Sequence, residues 1–400
     1  MSPARSPIQD QVAIVGVGTA PYSRGGRPRS SPALALEACR RAIVDAGLTA
    51  ADVDGIAGTA TTVPFWQVQG ALGIPETTWG TNHPGGLPIG FQLVDAANAV
   101  FSGACRYAVV YHSAVHPPGK RRSSADPLRV RAQASARSGS FSWVTPDPPG
   151  MLTTGGAGYA AWAWRYMQEF GLTRDQLARI AVNNRTHAVP NPNAVMRTPL
   201  TVDDYLAAPM VYDPLCLLDL DVGVDGAEAF VLARVERAAD TPHRPVLLHA
   251  ATTGRTAFAR EDQLEGFGRL GPDVAMRALW ERSDLALGDV DLFYPFDGFS
   301  FVSVLWLEAA GFCGPGEAGS CLDEAWRPDE GHLLLDGRVP VNTHGGNLSE
   351  GATQGAGALR EAVVQLRGDA GDRQVDGAEV ALVAPGGIVW NAAAALLRTP

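Results

Sequence analysis

The apolar positions follow two alternating periods. Residues 11–17 form a β-branched run, Gln-Val-Ala-Ile-Val-Gly-Val, that predicts a first strand. An amphipathic helix is expected over Ser31–Ala46, opened by a Ser-Pro pair and closed by Gly47. A loop containing Asp52-Val53-Asp54 then feeds an apolar strand. The unit recurs over Asp273–Phe293, where an Ala-rich helix is followed by Asp289-Val290-Asp291 and another apolar run. The remainder of each unit matches as well. A glycine-started helix over Gly85–Gly103 precedes a strand at Tyr107–Tyr111, and one over Gly351–Arg367 precedes a strand at Glu379–Val383. Matching order over four elements predicts an internally duplicated α/β protein.

Between the repeats lies a different segment, roughly Ser113–Thr241. It holds a basic stretch (Lys120, Arg121, Arg122, Arg129, Arg131, Arg137), a Pro/Gly-rich region ending at Gly150, and an aromatic helix expected over Gly156–Phe170. A further helix starts at Thr173, with Gln176 three residues on as a capping box. This segment reads as a helical lid inserted into the first half. The expected division is residues 1–245, with 113–241 inserted, and residues 246–400.

Gly16 and Gly18 after the first strand invite a dinucleotide-binding reading. The third glycine is missing and Pro21 stands where the helix would open, so that reading is rejected. Composition narrows the class. A charged fraction of 18% against 46% hydrophobic residues suits a chain that buries surface in an oligomer, and the net charge of −10 argues against nucleic acid as a partner. Cys39, Cys105, Cys216, Cys313 and Cys321 show no metal-ligand spacing, so reduced thiols and no metal are expected. The first residues lack a signal-peptide core and no run reaches the ~18 apolar residues of a membrane span. A cytoplasmic protein is expected.

Four segments in order carry a family resemblance: residues 165–197 (RYMQEFGLTRDQLARIAVNNRTHAVPNPNAVMR), 199–233 (PLTVDDY to VLA), 295–313 (PFDGFSFVSVLWLEAAGFC) and 342–368 (NTHGGNLSEGATQGAGALREAVVQLRG). Together they resemble the thiolase superfamily, and within it the sterol-carrier-protein-X and lipid-transfer-protein branch, which includes thiolase-fold aldolases. The resemblance implies a five-layered αβαβα fold and a homodimer. It implies an acyl-CoA or carrier-bound thioester held where two helix N-termini meet, with coenzyme A entering as part of the substrate and no separate cofactor. It also implies a small OB-fold, zinc-ribbon acyl-CoA-binding partner.

The family's reactive side chains are replaced. The nucleophilic cysteine slot falls on His83 or Pro84, in Thr81-Asn82-His83-Pro84-Gly85-Gly86. The histidine base slot is Ala352, the oxyanion residue is Phe296, and the second cysteine is absent before Gly386-Gly387. Without a thiolate at a helix N-terminus, covalent thiolysis is excluded. Retro-aldol cleavage needs only a base for the β-hydroxyl and stabilisation of the enolate. The aldolases resembled, however, carry tyrosines where this chain has Phe296 and Ala352.

Replacement acid–base groups are therefore sought among His83, His344, Asp297, Tyr294 and Glu350. Each has a bland alternative: a hydrogen-bonded core histidine, a buried structural carboxylate, a strand tyrosine facing the core, a helix cap. Asn82, Gly85, Gly86, Asn342, Gly386 and Gly387 are the expected substrate-binding positions, and Arg121 and Arg122 suit coenzyme A phosphates. The leading expectation is a non-covalent aldolase or retro-aldolase acting on a thioester. The alternatives are a non-catalytic scaffold subunit, or an acyltransferase with a non-cysteine mechanism.

Overall fold

The computed structural model describes residues 6–25, 29–59, 63–83, 89–116, 156–257, 266–388 and 391–400. Among the described residues nine strands form the main sheet: β1 (Val12–Ser23), β2 (Gly55–Thr59), β3 (Trp79–His83), β4 (Tyr107–Ala114), β5 (Asp225–Arg234), β6 (Val246–Arg255), β7 (Leu292–Tyr294), β8 (Val380–Val383) and β9 (Asn391–Arg398). They run in the order β3-β2-β4-β5-β1-β6-β9-β8-β7, with the short strand Gly387–Ile388 added to β9.

The duplication is visible in the pairing. β2 lies parallel to β3 and β4, β4 antiparallel to β5, and β5 antiparallel to β1. In the second half β7 lies parallel to β8, β8 antiparallel to β9, and β9 antiparallel to β6. A parallel bridge from Phe293 to Val341 stands where β3 pairs with β2 in the first half. The halves join where Ala13 and Ile14 meet Leu247 and Val246.

The repeated Asp-Val-Asp triplet has a matching task in both copies. Asp54 accepts the N–H groups of Arg106 and Tyr107 at 2.8 and 3.0 Å, tying down the start of β4. Asp291 accepts those of Glu379 and Val380, both at 2.9 Å, at the start of β8. The first aspartate of each triplet closes the preceding turn, Asp52 onto the Thr49 N–H and Asp289 onto the Ala286 N–H.

Helix α1 (Ser31–Asp45) packs on the outer face of the first half, and Gly47 ends it with φ +70°. Gly16 and Gly18 serve this packing. A Cβ at Gly16 would overlap the Ala42 carbonyl, and one at Gly18 the Ala38 carbonyl. The first strand runs on through Pro21 to Ser23, beyond the Val17 end expected. On this same side α2 (Phe65–Leu72) packs against α1, β2 and β3. The middle core is shared: α3 (Ile89–Ser102) and, from the far end of the chain, a helix at Ala356–Arg367 bury their apolar faces together between strands of both halves.

The inserted region carries α4 (Gly156–Phe170), α5 (Arg174–Ala188) and α6 (Val202–Leu206). The Thr173–Gln176 capping box forms as expected. These helices share a core with the second half's α7 (Gly271–Trp280), α8 (Ser300–Ala310) and α9 (Ala318–Ala325). The helix Ala356–Arg367 is α10.

Polar stitches fix this packing. Asn183 receives the Leu333 N–H and donates to the Val341 carbonyl. Asp219 receives the hydroxyls of Tyr205 and Ser300. The insert thus leans on the second half of the chain as well as the first. The basic stretch Lys120–Arg137 lies outside the described residues. No described helix is long and apolar enough to cross a membrane.

Candidate active site

Two helix N-termini approach one turn. A Cβ on Gly90, in the first turn of α3, would meet Pro385 and Ala393; one on Gly355, the N-cap of α10, would meet the Pro385 backbone. Positive helix ends converging at a glycine turn form a place where a developing negative charge is stabilised. Gly386 and Gly387 hold φ of +110° and +138°. The Gly386 N–H donates to the Ala384 carbonyl at 2.7 Å, so it is committed within the turn. Gly387 pairs with Ala392 on β9. Phe296 and Ala352 are both buried.

Asp297 sits beside Phe296 and its carboxylate accepts four hydrogen bonds. Asn184 Nδ2 donates at 2.7 Å, Asn347 N–H at 2.9 Å, Asn347 Nδ2 at 2.8 Å and Leu348 N–H at 3.1 Å. Burial raises its pKa to about 6 against the pull of these donors. Four donors fill the acceptor positions a carboxylate has. Asp297 therefore stitches α5 to the Gly345–Leu348 turn, and the bland alternative holds over a catalytic base. Tyr294 faces the core: its hydroxyl meets Thr343 Oγ1 at 2.9 Å, and Thr343 in turn donates to Glu361. Burial pushes its pKa well above 10.

His344 is different. It is buried, its Nδ1 has no hydrogen-bond partner among the described residues, and its Nε2 lies 4.0 Å from Glu350 Oε2. That oxygen is likewise unpartnered. Burial lowers the imidazole pKa below 6.5, partly offset by Glu350 and Glu361, so the ring is neutral at pH 7. A neutral buried imidazole with an open ring nitrogen can take or give one proton. Asn342 beside it has φ +50°, donates to the Pro295 carbonyl at 3.1 Å and has no partner for its own Oδ1 among the described residues.

Glu350 belongs to a buried ion cluster that sequence patterning did not reveal. Arg360, on α10, bonds Glu228, Glu350 and Glu361 at once, and Arg373 adds a second cation on Glu361. Asn191 donates to Glu350 at 2.8 Å and to the His344 carbonyl at 2.7 Å. Tyr22 and Thr19, from β1, donate to Glu228 at 2.8 and 2.7 Å, and the Tyr22 hydroxyl also meets Thr353. Burial raises Glu228 to about 7 despite Arg360. Burial opposes the charge of Glu361 too, but Arg360 and Arg373 outweigh it and hold that group near 2. The Arg-Glu pair at 360–361 was legible only as polar residues on an amphipathic helix.

The expected residues on the α3 side have other work. Asn82 accepts the Phe65 N–H at 2.9 Å and so starts α2. That acceptor serves the start of the helix. His83 ends β3, with Nε2 2.9 Å from the half-exposed Asp95 carboxylate but without hydrogen-bond angles. Gly85, Gly86, Arg121 and Arg122 lie outside the described residues.

Residues 269–399 match the family model "Thiolase C-terminal domain-like". A 17-hydroxy-3-oxo-4-pregnene-20-carboxyl-CoA lyase from Mycobacterium tuberculosis is 34% identical over 95% of this chain and 97% of its own length. The chain belongs to the thiolase superfamily. Within it the match is to the lipid-transfer-like and aldolase branch. A steroid side-chain-cleaving aldolase from Thermomonospora curvata is 32% identical over 96% of this chain and 97% of its own. Among solved structures, an "Ltp2-ChsH2(DUF35) aldolase" superposes with a TM-score of 0.83 at 30% identity, covering 98% of this chain and 99% of that one. This member of the thiolase superfamily keeps the paired helix N-termini and has apolar side chains at Phe296 and Ala352.

Proposed function

We propose that this chain is a non-covalent retro-aldolase of the thiolase fold, cleaving the Cα–Cβ bond of a bulky β-hydroxyacyl-CoA of the steroid type. The end-to-end similarity to a lyase and an aldolase that act on such side chains carries the reading. The site's chemistry supports it. A base removes the β-hydroxyl proton, the C–C electron pair passes to the α-carbon, and a ketone or aldehyde departs from the thioester enolate. The enolate then takes back one proton. His344, neutral and open at Nδ1, is the proposed proton carrier. Glu350, held by Arg360 and Asn191, steadies the ring from the Nε2 side. The two helix N-termini offset the enolate charge.

An OB-fold, zinc-ribbon partner belongs to the same proposal, since the similar aldolase structure pairs Ltp2 with a DUF35 protein. The inserted region supports it with exposed Trp164, Leu206, Met210, Val211 and Leu217 around the hairpin Met210–Cys216. Trp164 is tied to that hairpin through Asp213, and Leu217 through the Pro209 carbonyl. A homodimer is proposed from β3, which ends the sheet among the described residues.

The test is to incubate the purified chain, with and without a DUF35 partner, with a 17-hydroxysteroid carboxyl-CoA and to follow the ketone and the shortened acyl-CoA by mass spectrometry. Cleavage lost in His344→Ala supports the reading. Thioester binding without cleavage in either state moves the protein to a scaffold, the reading that buried Phe296 and Ala352 favour.

A further inference from the structure

Two cysteines with no part in the proposed reaction lie together beyond the C-terminus of α8. Cys313 follows that helix after the Gly311 turn, and Cys321 is the fourth residue of α9. The connection between them is pinned. Gly314 N–H donates to Glu317 Oε2 at 2.9 Å, Gly316 N–H to Glu308 Oε1 at 2.8 Å, and Cys321 N–H to the Glu317 carbonyl at 3.1 Å. This turn brings Cys321 Sγ to 4.0 Å from the carbonyl of Phe312, the residue that precedes Cys313.

Both cysteines are half-buried and line an open cavity of about 550 Å³ together with Glu317, Glu324 and Asp336. The other three cysteines are buried, and burial raises the Cys39 thiol, the Cys105 thiol (to about 12) and the Cys216 thiol. No group of three or more His, Cys, Asp or Glu among the described residues is placed to hold a metal ion, so metal binding is not the natural use of this pair.

We propose that Cys313 and Cys321 are a redox couple, converted to an intramolecular disulfide by a small neutral hydroperoxide that enters the cavity they line. Cys321 is the attacking thiol. The neighbouring Cys313 thiol lowers the Cys321 thiol against burial and the nearby Asp336 and Glu324, whereas Cys313 is pushed up by Cys321 and by burial. The Cys321 thiolate attacks one peroxide oxygen and the O–O bond breaks. With hydrogen peroxide this leaves a sulfenic acid and, after protonation, water. Cys313, deprotonated as it attacks, displaces the sulfenic oxygen as a second water and forms the S–S bond. Two thiols give up one electron each and the peroxide takes both. The three carboxylates set the oxidant class: a neutral peroxide enters freely, while an anionic disulfide such as oxidised glutathione is repelled.

The experiment uses the native full chain with hydrogen peroxide as probe, quenched with catalase and alkylated in denaturant. Two of the five thiols should disappear. Glutamyl endopeptidase, which cuts after Glu317 between the two cysteines, should release residues 309–317 and 318–324 still joined until reductant is added. Cys313→Ser should stop at a dimedone-reactive sulfenic acid on Cys321, and Cys321→Ser should leave Cys313 reduced over the same interval. Oxidised glutathione should react at least about tenfold more slowly. The proposal is overturned by unchanged thiol count, by loss of Cys39, Cys105 or Cys216 in its place, or by a disulfide linking two chains. Equal rates with oxidised glutathione would overturn the neutral-oxidant part.

Discussion

His344 differs from a satisfied core histidine in that one ring nitrogen has no described partner while the other faces an equally unpartnered carboxylate oxygen. Replacing it with alanine is expected to lower kcat by about 10²- to 10⁴-fold with little change in KM, the range for loss of a proton carrier. A parallel loss of thermal stability and KM would make it structural. Asp297→Asn should act in the opposite way. It turns an acceptor of four hydrogen bonds into a group that must present an N–H to some of those donors, costing about 1–3 kcal/mol. Urea unfolding checks this; an unchanged midpoint would return Asp297 to the list of bases. Asp297 and His344 could both be named from the sequence, because each stands in a glycine-flanked motif. Which of them was saturated could not, since their partners Asn184, Asn191 and Arg360 come from distant stretches of chain.

Glu228 gives a pH signature at the same scale. Its folded pKa, about 7, lies above the carboxylate reference of 4.5, so the folded state holds the proton more tightly. The stability from this group is fully present below pH 4.5 and is lost as pH rises through 7. Glu228→Gln keeps acceptors for Tyr22 and Arg360 and a partner for Thr19, yet removes the ionisation. The variant and the parent should therefore have similar unfolding free energies near pH 5. By pH 8 the variant should gain on the order of 3 kcal/mol. A gap that does not widen with pH would mean that Arg360 keeps Glu228 ionised throughout.

Among the elements, the Asp-Val-Asp repeat was the most reliable sign in the sequence. It marked two places where a loop must present a carboxylate to the start of a neighbouring strand, and Asp54 and Asp291 do so with the same pair of bonds. Helix boundaries set by Ser-Pro, Thr-x-x-Gln and glycine were also legible, because those signals are local. The start of α10 was not. Its glycine, read as a helix opener at Gly351, precedes the helix, which begins at Ala356. Asp291→Ala should cost about 1–3 kcal/mol and raise amide exchange at Glu379 and Val380 above that of the rest of β8. Uniform exchange along the strand would show that the cap is dispensable.

For the whole molecule, the fold was readable because duplication doubles every signal, and the reaction class because four family segments stand in order; the acid–base residues were not, because those the family uses have been replaced singly. The glycines of a failed nucleotide fingerprint, Gly16 and Gly18, turn out to be where α1 lies on β1. Sedimentation at micromolar concentration should give the mass of two chains, with β3 protected in hydrogen exchange. A monomer with fast exchange along β3 would remove the dimer from the proposal.

The shared middle layer has a consequence for taking the protein apart. α3 comes from the early part of the chain and α10 from the end, and they occupy one apolar core. A cut in the exposed link between Ala239 and Arg244 would leave each fragment with half of that layer bare. Neither piece should stay in solution when made alone. Co-expressed, the two should find each other and rebuild the molecule, so the protein would behave as an obligate heterodimer that a single peptide linkage happens to make permanent.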